Sequence, residues 1–205
     1  MGKTSESVHD HVLSLLDGSN ASAFLDIGCG RGERLQSLAR QLPEDARLVG
    51  IDSSTVSIGS ACEATEGDLR FTFLMHDVTE GIPFEAESFD RILSVNVLAA
   101  IPDKDGLLGE MHRVLTPSGP VVVSHFDWDS QLYDGLDKAL VRKVVHAFAD
   151  WKQKWMADAE GWMGRRLWRT FQHAGCFTGY VDAYVFLCNY DVQLRGDTSG
   201  SRRIQ

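Results

Sequence analysis

The sequence predicts one α/β domain with a doubly wound, mostly parallel sheet covered by helices on both faces. Short apolar segments alternate with amphipathic helical segments as far as Ser124. A cluster of glycines follows the first apolar segment, where a strand must turn sharply into a helix. The 205 residues, 43% hydrophobic and 24% charged, are enough for one well-formed core.

The first unit of this pattern is a helix, a strand and a second helix. Apolar residues at helical spacing predict a helix over 5–16. The apolar run Ala23–Ile27 stops in glycines, which is typical of a buried strand that ends in a tight turn. Leucines recur on one side of 34–42, so a helix is expected there, ending before Pro43.

The same alternation continues through the rest of the sheet. Further strands are predicted at 48–51, Phe71–Met75, Arg91–Val95 and Val121–Ser124, with helices at Thr55–Ala64 and Lys104–Val114. Because right-handed crossovers return the chain over the sheet, strands separated by helices favour a parallel arrangement. Beyond Ser124 the pattern predicts helices over 136–155 and 162–174 and a strand over 180–187. We assign residues 1–192 to one domain and expect the polar segment 193–205 to be a disordered tail.

Acidic residues end three successive strands. Asp26 lies just before Gly28, Gly30 and Gly32, Asp52 ends the second strand, and Asp77 follows the third. A carboxylate in the position of Asp52 can accept hydrogen bonds from both hydroxyls of a ribose. A dinucleotide fingerprint needs glycine at position 33, where this chain has glutamate, so a nicotinamide-dependent oxidoreductase is disfavoured.

These motifs resemble the class I S-adenosylmethionine-dependent methyltransferase family over roughly 24–124. The resemblance implies a Rossmann-like fold and S-adenosylmethionine as cofactor, with S-adenosylhomocysteine as product. It assigns the methionine part of the cofactor to Asp26, Gly28, Cys29, Gly30 and Gly32, the ribose to Asp52 and Ser53, and the adenine to Asp77 and Val78. The family sheet closes with an antiparallel hairpin, whereas this chain offers one strand. Either that strand pairs differently, or the last strand is lacking, or a second copy or partner chain completes the sheet.

Two polar residues at the ends of later strands are candidates for the chemistry. His125 follows the fifth strand and is our candidate for a general base, with Asp127 and Asp129 as residues that orient it. The alternative is that His125 only forms part of the pocket wall. Asn96 follows the fourth strand, where the family often contacts the acceptor or the methyl group, and a turn cap is its alternative role.

Charge and cysteine usage narrow the class of partners. The net charge of −9 disfavours a nucleic-acid partner, since the only basic cluster is Arg202-Arg203. The four cysteines have neither metal-ligand spacing nor the density of a disulfide scaffold, so we expect reduced thiols, no metal and a cytoplasmic protein. No apolar run is long enough for a membrane span.

The sequence therefore predicts methyl transfer to a small organic acceptor, with aromatic and natural-product compounds included. The alternative is a regulatory or partner subunit of the same fold that binds the cofactor but is catalytically weak or inactive. Trp151, Trp155, Trp162 and Trp168 either line an acceptor pocket or belong to the core, and we expect at least two of them to be core.

Overall fold

The computed structural model describes residues 8–16, 21–152 and 161–179. The predicted strand over 180–187, the tail over 193–205 and Trp155 lie outside these residues. Within the described ranges, no helix combines the length and the apolar character that crossing a bilayer requires.

Among the described residues, five parallel strands form the sheet, which confirms the predicted fold class. The strands are β1 (Ala23–Ile27), β2 (Arg47–Asp52), β3 (Phe71–Met75), β4 (Arg91–Val95) and β5 (Val121–Ser124). Their order across the sheet is β3-β2-β1-β4-β5. The chain therefore winds outward in both directions from the β1–β4 pair. A crevice opens at the carboxyl ends of these two strands, and ligands bind at this point in open α/β sheets.

Helices cover both faces of the sheet. They are α1 (Val8–Ser14), α2 (Glu33–Ala39), α3 (Thr55–Ala64), α4 (Lys104–Val114), α5 (Lys138–Ala149) and α6 (Met163–Ala174). The first two helices pack around Phe24, Leu48 and Leu93, and α4 and α6 pack on the opposite face around residues such as Ile27 and Ile92. Each strand of the β1–β4 pair is thus buried on both sides, which holds its carboxyl end rigidly in place.

Local hydrogen bonds explain why α2 ends earlier and why α5 begins later than the sequence predicts. Helix α2 ends at Ala39 because the Gln41 N–H donates to Leu38 O (2.9 Å), forming a tight turn before Pro43. Helix α5 begins after Asp137, whose carboxylate accepts the N–H groups of the first helical turn. A side-chain cap of this kind fixes a helix start more strongly than hydrophobic periodicity does.

The expectation that at least two of the four tryptophans are core is wrong. Trp151, Trp162 and Trp168 keep 59%, 44% and 43% of their surface exposed. Helices α5 and α6 instead bury smaller side chains, such as Val145, Ala149 and Leu167. These three tryptophan side chains are therefore left partly exposed at the surface.

Candidate cofactor and acceptor site

The loop between β1 and α2 depends on its glycines. Gly28, Gly30 and Gly32 have φ angles of 70°, 55° and 74°, a left-handed conformation that favours glycine. A Cβ atom at Gly28 would lie 2.3 Å from Cγ2 of Val97, so the loop passes directly beside the end of β4. A Cβ atom at Gly30 would have no heavy atom within 4 Å. The loop is therefore packed on one side and open at Gly30.

The amide groups of this loop are already engaged within the protein. The N–H groups of Gly28 and Cys29 donate to Ile51 O (2.8 and 3.0 Å), and that of Gly32 donates to Cys29 O (3.0 Å). The Gly30 N–H donates to Oδ2 of Asp52 (2.9 Å). A dinucleotide loop needs such donors for its pyrophosphate. The arrangement therefore suits a ligand without phosphate.

Asp26 is a buried carboxylate at the base of the loop. Its Oδ2 accepts from Nε of Arg34 (3.2 Å), and the Arg34 guanidinium also donates to Gly28 O (2.9 Å). Burial raises the pKa of Asp26 to about 6, although Arg34 opposes the shift. Its Oδ1 is buried and has no hydrogen-bond partner within the described part of the chain. A buried acceptor of this kind is costly unless a ligand satisfies it.

Replacing Asp26 with asparagine should change how stability depends on pH. The folded-state pKa lies above the usual value of 3.8, so Asp26 stabilises the fold most when it is protonated. That contribution is lost as pH rises toward 6. Relative to Asp26→Asn, the unchanged protein should lose about 2 kcal/mol of unfolding free energy between about pH 4 and pH 7. Urea unfolding of both proteins measures this difference, and a difference that stays constant with pH contradicts the shift.

Asp52 joins the glycine loop to the start of α3. While Oδ2 accepts the Gly30 N–H, Oδ1 accepts the N–H of Ser54 (2.8 Å). Each carboxylate oxygen has a second lone pair, so both can still accept a ribose hydroxyl. Ser53, the other residue predicted for the ribose, is exposed immediately beside it. The open Gly30, the unsatisfied Asp26 oxygen and the Asp52 carboxylate all fit S-adenosylmethionine.

Asp77 and Val78 lie in the turn after β3, as predicted for the adenine. Asp77 caps a 3₁₀ helix, Val78–Glu80, by accepting from the N–H and hydroxyl of Thr79 (2.9 and 2.7 Å). These hydrogen bonds lower the pKa of Asp77. Beside this turn lies a groove of about 440 Å³, whose apolar wall includes Val78, Ile101 and Leu107. A purine ring is flat and largely apolar on its faces, and such a wall suits it.

Cys29 contributes to the loop through its backbone. Its side chain is 2% exposed, and burial raises the pKa of the thiol to about 12. The thiol is therefore protonated at neutral pH. Across the described ranges, no group of three or more His, Cys, Asp or Glu residues is placed to hold a metal ion.

Asn96 and His125 meet at the carboxyl ends of β4 and β5. Asn96 has a φ of 60°, and its Oδ1 accepts the N–H of Phe126 (2.9 Å). The amide thus ties the two strand ends together. Nδ1 of His125 lies 2.8 Å from Phe126 O. Because a carbonyl oxygen only accepts, Nδ1 is the donor in this contact. The other ring nitrogen, Nε2, is buried.

The expectation that Asp127 and Asp129 orient His125 is wrong. Asp127 receives both arms of the Arg165 guanidinium (2.5 and 2.6 Å), and Asp129 accepts from Nε1 of Trp162 (2.8 Å). The two carboxylates hold the segment after β5 against α6, because Arg165 lies on that helix and Trp162 directly precedes it. The sequence shows no signal for Arg165, which lies 38 residues from Asp127. Arg34 was also missed, although a buried aspartate predicts a cation nearby.

Known proteins share this fold and these motifs. A family model described as a methyltransferase domain matches residues 19–175. An uncharacterized 37.1 kDa protein in a Streptomyces fradiae transposon is 32% identical over 80% of this chain and 46% of its own length. A demethylmenaquinone methyltransferase of Staphylococcus epidermidis is 31% identical over 55% of this chain and 46% of its own length. The chain spans about half the length of the curated relatives that it matches.

A solved structure supports the fold alone. Phosphoethanolamine N-methyltransferase 2 of Haemonchus contortus, in complex with S-adenosyl-L-methionine, has a TM-score of 0.58 and 23% identity, covering 82% of this chain and 36% of that one. The strand order of the sheet, the glycine loop and the family match all indicate the same fold. The chain belongs to the methyltransferase-domain family, whose members are class I S-adenosylmethionine-dependent methyltransferases.

Proposed function

We propose that this chain binds S-adenosylmethionine and transfers its methyl group to a small organic acceptor. The observation that carries the proposal is the buried, unsatisfied Oδ1 of Asp26 beside the open Gly30. The free thiols of Cys29, Cys62 and Cys176 support a cytoplasmic location. The demethylmenaquinone methyltransferase relative supports a small-molecule acceptor, and the acidic charge of the chain disfavours nucleic acid.

The residues of the crevice have separate roles in this proposal. Asp26 accepts hydrogen bonds from the ammonium group of the cofactor. Asp52 and Ser53 accept hydrogen bonds from the ribose hydroxyls. When bound, S-adenosylmethionine supplies a methyl group that its sulfonium already activates. Asn96 holds the acceptor side of the crevice in place. For an oxygen or nitrogen acceptor, His125 takes the proton that the acceptor loses as its bond to the methyl carbon forms and the bond from that carbon to the cofactor's sulfur breaks.

Isothermal titration with S-adenosylmethionine and S-adenosylhomocysteine tests cofactor binding. Both ligands should bind with micromolar affinity, and NADH should not bind. No heat of binding at ~1 mM of either ligand contradicts the proposal. Incubation with methyl-labelled cofactor and a metabolite extract then identifies the acceptor by transfer of label.

Replacing His125 with alanine should slow methyl transfer without weakening cofactor binding. A general base contributes about 100-fold to 10,000-fold, so kcat should fall by at least 100-fold for an oxygen or nitrogen acceptor. The control is His112→Ala, because His112 is exposed in the last turn of α4, at the opposite edge of the sheet. Steady-state kinetics measures the effect. An unchanged kcat in His125→Ala assigns His125 to the pocket wall.

A regulatory or partner subunit is the second candidate. It is favoured because β5 pairs with β4 alone among the described residues, which leaves an edge that another chain can complete. In that case the cofactor binds, no acceptor is methylated, and a stable partner or a second copy co-purifies. Turnover by the isolated chain would exclude this candidate.

A further inference from the structure

A row of four aromatic rings begins directly beside the proposed reaction centre. The rings of Phe126 and Trp128 have centroids 5.1 Å apart, those of Trp128 and Phe148 are 5.4 Å apart, and those of Phe148 and Trp151 are 6.4 Å apart. We call these four residues the aromatic row. Phe126, Phe148 and Trp151 keep 42% to 59% of their surface exposed. Large apolar surface left exposed and contiguous is a mark of a binding site.

The aromatic row is continuous with the cofactor crevice through a short series of contacts. The glycine loop touches Val97 at the end of β4, and the neighbouring Asn96 accepts the backbone N–H of Phe126. His125 immediately precedes Phe126 in the chain. The aromatic row therefore begins at the residue that follows the candidate base and that is hydrogen-bonded to Asn96.

The charges at the foot of the aromatic row are already compensated. Both carboxylate oxygens of Asp127 accept from the Arg165 guanidinium. That guanidinium also lies 4.8 Å from the ring centroid of Trp162. The indole N–H of Trp162 in turn donates a hydrogen bond to Asp129. Since a guanidinium occupies these carboxylates, they are not available to form an ion pair with an acceptor. The faces and edges of the tilted rings in the aromatic row can instead pack against a flat, neutral ring system.

From these contacts we infer that the acceptor is a flat, uncharged, polycyclic or fused-ring compound that stacks on the aromatic row. This inference rests on the proposed function and specifies the substrate class of the same site. Stacking places one edge of the compound toward His125, and a hydroxyl or amine on that edge is the group that is methylated. As the oxygen or nitrogen lone pair forms the bond to the methyl carbon, the bond between that carbon and the cofactor's sulfur breaks and its electron pair stays on the sulfur, which leaves S-adenosylhomocysteine. The acceptor's proton passes to His125.

Calorimetric titration of the full chain with 2-naphthol, with S-adenosylhomocysteine present and absent, tests the inference. The saturated analogue decahydro-2-naphthol has the same carbon skeleton and hydroxyl but no aromatic face. We expect 2-naphthol to bind at least about tenfold more tightly than the analogue, and Phe148→Ala or Trp151→Ala to weaken its binding by about tenfold. The matched control is Trp168→Ala, which removes a tryptophan of similar exposure outside the aromatic row and should leave binding unchanged.

Several outcomes overturn the inference. Equal binding of 2-naphthol and its saturated analogue, or equal losses in Trp168→Ala and Trp151→Ala, shows a general apolar surface. Sedimentation of a dimer that Phe148→Ala dissociates assigns the aromatic row to an interface between copies. Failure of S-adenosylhomocysteine to bind is measured separately and contradicts the proposed function, whether or not 2-naphthol binds.

Discussion

Replacing Asp52 with alanine is expected to weaken S-adenosylmethionine binding by about 100-fold or more. The carboxylate accepts the N–H groups of Gly30 and Ser54, so its loss leaves both donors without an acceptor. It also removes the group proposed to hold the ribose. Hydrogen bonds to a charged group contribute about 1.5–3 kcal/mol each, and two of them account for this loss. Isothermal titration at neutral pH measures the change in dissociation constant.

The control for this variant is Asp45→Ala. Asp45 is an exposed acid that precedes β2, at the edge of the sheet opposite to the crevice. Its removal changes the net charge by the same amount and should leave cofactor affinity unchanged. If Asp52→Ala binds the cofactor within about threefold of the unchanged protein, the carboxylate does not organise this site.

Replacing Gly28 with alanine is expected to lower the unfolding free energy by about 3 kcal/mol. An alanine at a φ of 70° is strained, which costs about 1–3 kcal/mol. The new Cβ also meets Cγ2 of Val97 at 2.3 Å, so the end of β4 must move. Because Val97 is next to Asn96, this movement should also displace the link to β5. Chemical denaturation followed by tryptophan fluorescence measures the loss.

A second glycine provides the matched control. Gly59 lies on the exposed side of α3, and a Cβ atom there meets no heavy atom within 4 Å. Gly59→Ala should raise stability by about 0.5–1 kcal/mol, because alanine is the better helix former. Adding Val97→Ala to Gly28→Ala should recover the part of the loss due to the clash and leave the backbone strain. If Gly28→Ala is as stable as the unchanged protein, the described loop geometry is wrong.

The hydrophobic periodicity of the sequence and the turn residues between its apolar runs were sufficient to predict the fold. The predicted strands Ala23–Ile27, Phe71–Met75, Arg91–Val95 and Val121–Ser124 have the observed bounds. Each is a short, largely apolar run between turn residues, which is the pattern expected for strands of a parallel sheet covered by helices. Helix α5 begins later than predicted because its start depends on a side-chain cap at Asp137 rather than on periodicity. It also ends earlier, at Ala149, where the Trp151 N–H donates to Phe148 O (3.2 Å) and forms a turn.

By itself, the sequence determined which residues lie at the carboxyl edge of the sheet, because parallel strands bring their ends to the same side. Only the tertiary structure decided how those residues are paired. Arg34 compensates Asp26, and Arg165 takes Asp127 away from His125. It also left Trp151, which follows α5, exposed, together with Trp162 and Trp168 at the start of and within α6, since these helices bury smaller side chains such as Val145, Ala149 and Leu167. Pairing across 38 residues and the choice of buried helix face depend on packing, which local sequence patterns do not encode.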